Sequence, residues 1–185
     1  MLWILWPCAL FGYYGLTTWF GSLLLAKGFS MIKSIGFIVM ITSGGIPGFI
    51  SATWLIDKIG RKPVTITYLT LTAVAAYFYG QSATYNTLLF FGFMLNFFQY
   101  GMWSSVYAYT PELYPTRIRG TGVGMSNSIG RIGALLGPYI MGTMMVAYGS
   151  GSVFTLAASV FAVAACAILI LGPETRGKTL EEINK

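Results

Sequence analysis

Histidine is absent from this 185-residue chain, which has only five acidic residues and two cysteines. Because histidine is the commonest general base and the commonest metal ligand, its absence argues against a catalytic centre or a metal site. Cys8 and Cys166 each lie in a long apolar run, where a thiol behaves as a small hydrophobe. We therefore expect no enzyme, no bound metal and no cofactor.

Charge of either sign is scarce as well. Charged residues make up 9% of the chain, whereas a soluble domain carries roughly a quarter. Long apolar runs recur instead, each close to the roughly 20 residues that a helix needs to cross a hydrocarbon core, and they lack the alternation of membrane strands. The sequence therefore predicts an all-α membrane protein. Its six transmembrane helices are expected at about residues 3–25, 35–56, 64–80, 88–109, 122–146 and 153–171, with a tail over 172–185.

The few basic residues are distributed unevenly between the loops on the two sides of these predicted spans. Lys27 and Lys33 fall on one side, and eight of the other nine fall on the opposite side. Because cytoplasmic loops carry the excess of lysine and arginine, we expect both ends of the chain in the cytoplasm and the helices in the plasma membrane. This topology accounts for the net charge of +6 without nucleic-acid binding.

Three segments on the predicted cytoplasmic side each combine a carboxylate with a cation. They read "DKIGRKP" at 57–63, "PELYPTRIRG" at 111–120 and "PETRGKTLEEI" at 173–183. Taken singly, each is also explained as a basic anchor at the membrane surface. Together they predict salt bridges that latch helix ends at one face, as a transporter that opens alternately to the two sides requires.

These three segments, in this order and separated by pairs of spans, resemble the carboxy-terminal half of major facilitator superfamily transporters. The resemblance implies twelve helices in two six-helix halves with the substrate between them. This chain would supply the seventh to twelfth helices and would pair with an amino-terminal half in the same chain or a partner chain. Thr53 stands where the fuller first motif has glycine. The resemblance assigns the cytoplasmic gate to Asp57, Arg61, Glu112, Arg117, Arg119 and Glu174.

Within that superfamily, "YTPELYPTRIRGTGVG" followed by "GRIGALLGP" is most similar to the metabolite:proton and organic-acid symporters, which include niacin-type and aromatic-acid carriers. Sugar porters carry Gly-Pro-x-x-Trp in the helix where this chain reads "QYGMWSS", and a glutamine pair that the first span lacks. We therefore expect a proton-coupled transporter of a small organic acid, with hexose transport as the alternative. A channel or a structural membrane subunit is a further alternative that glycine-rich helices alone would also fit.

Candidate substrate-binding residues lie on three of the predicted spans. At 100° per residue, the fourth span has a polar and aromatic stripe, and the first span has a second polar patch. Polar groups at membrane depth need partners, so these faces either line a cavity or hold helices together. The stripe comprises Asn96, Gln99, Tyr100, Trp103 and Tyr107, and the patch comprises Tyr13, Tyr14, Thr17 and Thr18. From these two sets we take Tyr14, Thr17, Asn96, Gln99, Tyr100 and Trp103 as the candidates.

Arg131 in the fifth span is the one basic residue outside the loops, and Asn127 precedes it by one turn. A permanently charged guanidinium at that depth needs a partner. Three partners are open: Glu112 reached by snorkelling, an acid on the other half, or an anionic substrate. Because this chain has no titratable acid or histidine inside a span, we expect the proton site on the other half.

Overall fold

The computed structural model describes residues 1–26 and 31–177, and this part of the chain is helical. The predicted all-α fold is therefore confirmed. Lys27 and the tail residues 178–185, which entered the topology prediction, lie outside the described residues. The helices are α1 (Leu2–Ala26), α2 (Met31–Ser43), α3 (Gly45–Ile59), α4 (Arg61–Gln81), α5 (Tyr85–Glu112), α6 (Arg119–Tyr148) and α7 (Ser150–Leu171), with a short 3-10 turn at Thr116–Ile118 before α6.

Three stretches of the described residues are long and apolar enough to cross a membrane: Ser34–Ile59, Thr116–Tyr148 and Ser150–Leu171. Helices α1, α4 and α5 cover the other three predicted spans. Several helices extend past the predicted ends of the apolar runs into the charged segments. The change from apolar to charged residues does not by itself end the backbone hydrogen bonding of a helix. The predicted span boundaries stay a prediction.

The second predicted span is a single helical stretch over Ser34–Ile59 with a one-residue break in its hydrogen-bond pattern. Helix α2 ends at Ser43 and α3 begins at Gly45, and Gly44 between them keeps helical backbone angles (φ −60°, ψ −20°). Pro47 lies in the first turn of α3, where its missing N–H costs nothing. The break falls within "SGGIPGF", where the glycines and the proline weaken the helix.

Two seams of close backbone contact hold the bundle together. A Cβ atom at Gly133 would lie 2.1 Å from the backbone oxygen of Pro7, and one at Gly137 would lie 2.5 Å from that of Phe11. Between α3 and α5, a Cβ atom at Gly48 would lie 2.0 Å from the backbone oxygen of Phe97. Only glycine allows these approaches, which small residues provide in membrane helices generally.

The bundle consists of two packed groups. Helix α1 packs along α6 and α7, while α5 packs against α3 and α4; α4 and α7 join the two groups. Buried aromatic rings fill the junction, where the ring centroids of Tyr79 and Phe154 are 4.7 Å apart. The remaining space between α1, α3, α5 and α6 forms the cavity described next.

Candidate substrate cavity and ion cluster

A cavity of about 310 Å³ opens between α1, α3, α5 and α6. Its walls are mainly aromatic, and Arg131 and Asn127 of α6 supply its charged and amide groups. This size is at the small end for sites that bind small molecules. The lining residues are Trp6, Leu10, Tyr13, Tyr14, Phe49, Tyr100, Trp103, Tyr107, Asn127 and Arg131.

Arg131 has only neutral partners among the described residues. Its Nε donates to Oδ1 of Asn127 at 3.2 Å, and one terminal nitrogen donates to the Tyr14 hydroxyl at 3.4 Å. Glu112, one of the three predicted partners, instead binds Arg61 and Thr175. Arg131 therefore does not pair with Glu112 in this structure, because that carboxylate is already engaged.

The aromatic rings of the cavity contact one another mostly edge to face, a favourable arrangement for aromatic pairs. The ring of Tyr13 lies at 5.2 Å and 89° to that of Tyr14, and at 5.7 Å and 88° to that of Trp103. Tyr13 also meets Tyr100 at 6.4 Å. Trp6 is fixed near the end of α5, where its indole nitrogen donates to the Thr110 hydroxyl at 3.1 Å. These contacts hold the walls in place before any ligand binds.

Five of the eight predicted substrate-binding residues line this cavity: Tyr14, Tyr100, Trp103, Asn127 and Arg131. The other three do not. Thr17 donates to the backbone oxygen of Tyr13 on its own helix at 2.8 Å. Asn96 is buried and donates to the backbone oxygen of Gly92 at 2.9 Å. Their polar groups are used within their own helices and do not reach the cavity.

Gln99 also lies outside the cavity. Its side chain is fully buried, and neither atom of its amide has a hydrogen-bond partner among the described residues. It was predicted in the stripe from its angle at 100° per residue, but it lies at one edge of that stripe and is buried in the bundle. An unpaired buried amide is costly, so this position is a strained one in the present conformation.

The prediction missed Trp6, Leu10 and Phe49 as cavity residues. They are apolar, and nothing in an apolar run separates a side chain that lines a cavity from one that faces lipid. Tyr13 and Tyr107 also line the cavity. Both belong to the polar patch and the stripe described from the sequence, although neither was among the eight candidates.

At the end of the bundle where α3 and α5 end and α4 begins, Arg61 and Glu112 form a salt bridge. The Nε atom of Arg61 donates to Oε1 of Glu112 at 2.9 Å, with side chains that are 24% and 26% exposed. Thr175 donates its hydroxyl to the second oxygen of the same carboxylate. Asp57 lies 3.9 Å from Arg61 and is 77% exposed, so it is a peripheral member. We call Asp57, Arg61, Glu112, Glu174 and Thr175 the ion cluster.

The segment after α7 completes the ion cluster. The Tyr109 hydroxyl donates to the backbone oxygen of Pro173, and Oε1 of Glu174 accepts the backbone N–H groups of Thr175 and Arg176 at 3.0 Å. Gly60, between α3 and α4, has a φ of 103°, and a Cβ atom there would lie 2.8 Å from that same oxygen. The three charged segments of the sequence thus meet at one face.

Arg117 and Arg119 do not join the ion cluster. Neither forms a salt bridge with a carboxylate of the described residues. Arg117 is exposed on the 3-10 turn, and the buried Nε and Nη2 atoms of Arg119 have no hydrogen-bond partner. Both arginines lie beyond the end of α5 at Glu112, Arg117 in the 3-10 turn that follows Pro115 and Arg119 as the first residue of α6.

Comparisons with known proteins agree with this architecture. The family model of the Major Facilitator Superfamily matches residues 34–185. The chain is 45% identical over 182 residues to the putative niacin/nicotinamide transporter NiaP of Bacillus subtilis, covering 98% of this chain and 46% of that protein. It is 41% identical over 184 residues to the niacin transporter NiaP of Acinetobacter baylyi, covering 99% and 42%.

A solved structure shows the same fold. The POT family transporter PepTSo superposes with a TM-score of 0.80 at 13% identity, over 91% of this chain and 36% of that one. The chain spans less than half the length of each of these three proteins. It is therefore an integral membrane protein that belongs to the Major Facilitator Superfamily and is similar to niacin and other metabolite transporters.

Proposed function

We propose that this chain forms the carboxy-terminal half of a secondary active transporter for small aromatic monocarboxylates. The observation that carries this proposal is Arg131, a permanent cation in an aromatic cavity whose partners among the described residues are all neutral. The niacin named for two relatives is a pyridine carboxylic acid and has this chemistry.

The two parts of such a ligand match the two parts of the cavity. A carboxylate accepts two hydrogen bonds from a guanidinium, and charge-assisted bonds of this kind are about twice as strong as neutral ones. A flat ring packs against tyrosine and tryptophan side chains with little loss of side-chain freedom. A hexose would use the hydroxyls but would leave Arg131 without an anion, which favours the organic acid over the hexose alternative.

Transport would require a second six-helix half, in the same chain or a partner chain, that covers the open side of the cavity. Arg61 and Glu112 would then stabilise closure on the cytoplasmic side, and the weak, partly exposed salt bridges of the ion cluster suit an equilibrium between states of similar free energy. The loop charges support cytoplasmic ends and a plasma-membrane location. The proton site would lie on the second half.

The central test compares nicotinate with nicotinamide, which has the same ring and a neutral amide. In proteoliposomes with the complete transporter, we expect Arg131→Gln to weaken nicotinate binding on the order of 100-fold while nicotinamide binding changes within about threefold. Arg131→Lys keeps the charge and should retain part of the affinity. Arg176→Gln, which removes an exposed arginine of the tail, is the matched control. Unchanged nicotinate binding by Arg131→Gln would overturn the proposal.

The transport mechanism has its own measurements. Saturable uptake that accelerates when substrate is present on the opposite side identifies a carrier, whereas a channel shows no such acceleration. Proton uptake with substrate should vanish when the membrane-embedded carboxylates of the second half are replaced. If it persists without all of them, the placement of the proton site is wrong.

A further inference from the structure

A second hollow adjoins the substrate cavity. It is an apolar groove of about 800 Å³ along α2 and α3, more than twice the size of the 310 Å³ cavity. Two side chains line both spaces, Phe49 and Tyr100. The cavity contains the charged Arg131, whereas the groove is lined by apolar residues such as Ile38, Ile46 and Ile50. The two rings therefore separate the charged group of the cavity from an apolar space.

The position of Tyr100 is set by a glycine at the start of α3. A Cβ atom at Gly45 would lie 2.8 Å from both Cγ and Cδ2 of the Tyr100 ring. These atoms are close to the backbone of Tyr100, so the ring could not avoid an added methyl group by bending only at its tip. Gly45 lines the groove, and a side chain there would push the ring toward Tyr13 and the cavity.

We propose that Phe49 and Tyr100 form a wall that limits the ligand to a single ring, and that Gly45 sets how far this wall projects into the cavity. This inference rests on the proposed function, because it assigns the size limit of the same site. A carboxylate held by Arg131 would place its ring in the aromatic cavity, and any ring fused beyond it would meet the wall. Removal of the wall would let the larger ligand extend into the groove.

The first experiment measures binding of nicotinate, benzoate and 2-naphthoate to the complete transporter and to its Phe49→Ala variant. We expect affinity for 2-naphthoate to rise about tenfold relative to benzoate, the usual range when a pocket contact is exchanged. Ile50→Ala is the matched control, since Ile50 lines only the groove and is similarly exposed. Phe49 is 46% exposed, so its truncation should leave the folded state intact. Thermal unfolding of both variants checks this.

The second experiment reverses the effect. Gly45→Ala should weaken nicotinate binding several-fold by moving Tyr100 into the cavity, and the double variant Gly45→Ala with Tyr100→Leu should recover it. Thermal unfolding of the single and double variants separates this effect from a merely structural role of Gly45, in which Gly45→Ala would lower the stability of the protein without changing the affinity of the folded protein for nicotinate.

The outcomes separate the wall from the proposed function. If wild-type protein binds nicotinate and benzoate but Phe49→Ala does not gain affinity for 2-naphthoate, the wall is wrong and the proposed function stands. If wild-type protein binds neither acid, the proposed function itself fails.

Discussion

Arg61 and Arg131 are two arginines of one bundle with opposite surroundings. Arg61 meets Glu112 at 2.9 Å and Asp57 at 3.9 Å, so its charge is balanced within the chain. Arg131 meets the amide of Asn127 and the hydroxyl of Tyr14, which orient the guanidinium without neutralising it. The charge of Arg61 is thus neutralised by carboxylates of the chain, whereas the charge of Arg131 has no carboxylate partner among the described residues.

In a chain with so little charge, a cation without a carboxylate partner is a stronger indication of a binding site than a cation in a salt bridge. A salt bridge already satisfied within the fold contributes to stability and to the balance between conformations. A cation oriented by neutral hydrogen-bond acceptors is ready to bind an anion and costs no reorganisation when it does so. The following predictions test this contrast, from the largest expected effect to the smallest.

The seam between α3 and α5 supports both regions, because α3 carries Phe49 of the cavity and Asp57 of the ion cluster. Gly48→Val should destabilise the folded protein by about 3 kcal/mol or more, since its Cβ atom would lie 2.0 Å from the backbone oxygen of Phe97. Gly36→Val is the control, because a Cβ atom there meets nothing within 4 Å. Unfolding in detergent measures both. Equal stability of the two variants would show that the seam is looser than described.

Asn127→Asp would convert the surroundings of Arg131 into those of Arg61. The new carboxylate would take the place of the amide oxygen at 3.2 Å from Nε. We expect nicotinate to bind on the order of 10- to 100-fold more weakly, because its carboxylate would compete with an internal one. Asn86→Asp makes the same chemical change at an exposed site in α5. Unchanged or tighter nicotinate binding to Asn127→Asp would contradict an available charge at Arg131.

The pair Arg61 and Glu112 should show a measurable coupling. Arg61→Gln, Glu112→Gln and the double variant form a thermodynamic cycle, and we expect a coupling energy of about 1 kcal/mol, at the upper end for partly exposed pairs. The coupling should shrink as salt concentration rises. The unfolding free energies of the wild-type protein and the three variants give the coupling energy. A coupling of zero at low salt would show that the pair does not hold the helix ends together.

Asp57 should contribute least. Its side chain is 77% exposed and its oxygen lies 3.9 Å from Arg61, so Asp57→Asn should change stability by less than about 0.5 kcal/mol. The same unfolding measurement applies. A loss as large as that of Glu112→Gln would mean that the exposed member of the ion cluster matters as much as the partly buried one.

Much of the fold could be predicted because membrane helices have a strong and simple signal. Long apolar runs indicate the helices, and the glycines and proline at 43–49 weaken the helix where the break lies. Salt bridges between the charged segments were predicted, but the pair of Arg61 with Glu112 was not singled out. Thr175 was not predicted, because a threonine in a tail has no special pattern until the chain returns beneath α5.

The cavity could be predicted only in part, because a helical wheel gives an angle and no depth. Asn96 shares its angle with Trp103 but lies seven residues away, about 10 Å along the helix axis and beyond the cavity. Gln99 lies at the edge of the stripe and faces the core. Arg117 and Arg119 have the right charge for a latch, yet they lie in the 3-10 turn and at the start of α6 and form no salt bridge with the described carboxylates. Depth and chain direction are set by packing, which one sequence does not show.

The break at Gly44 gives the second span a point at which it can bend. Helix α3 has 15 residues, so its far end lies about 22 Å from Gly44, and a bend of about 10° there would move that end by roughly 4 Å. That end is joined through Gly60 to Arg61, whose Nε atom lies 2.9 Å from Oε1 of Glu112. The seam between α3 and α5 opposes such a bend, because the two backbones are already in contact at Gly48. An angular change that overcame the seam would open the salt bridge while moving the residues close to Gly44 by only a fraction of that distance.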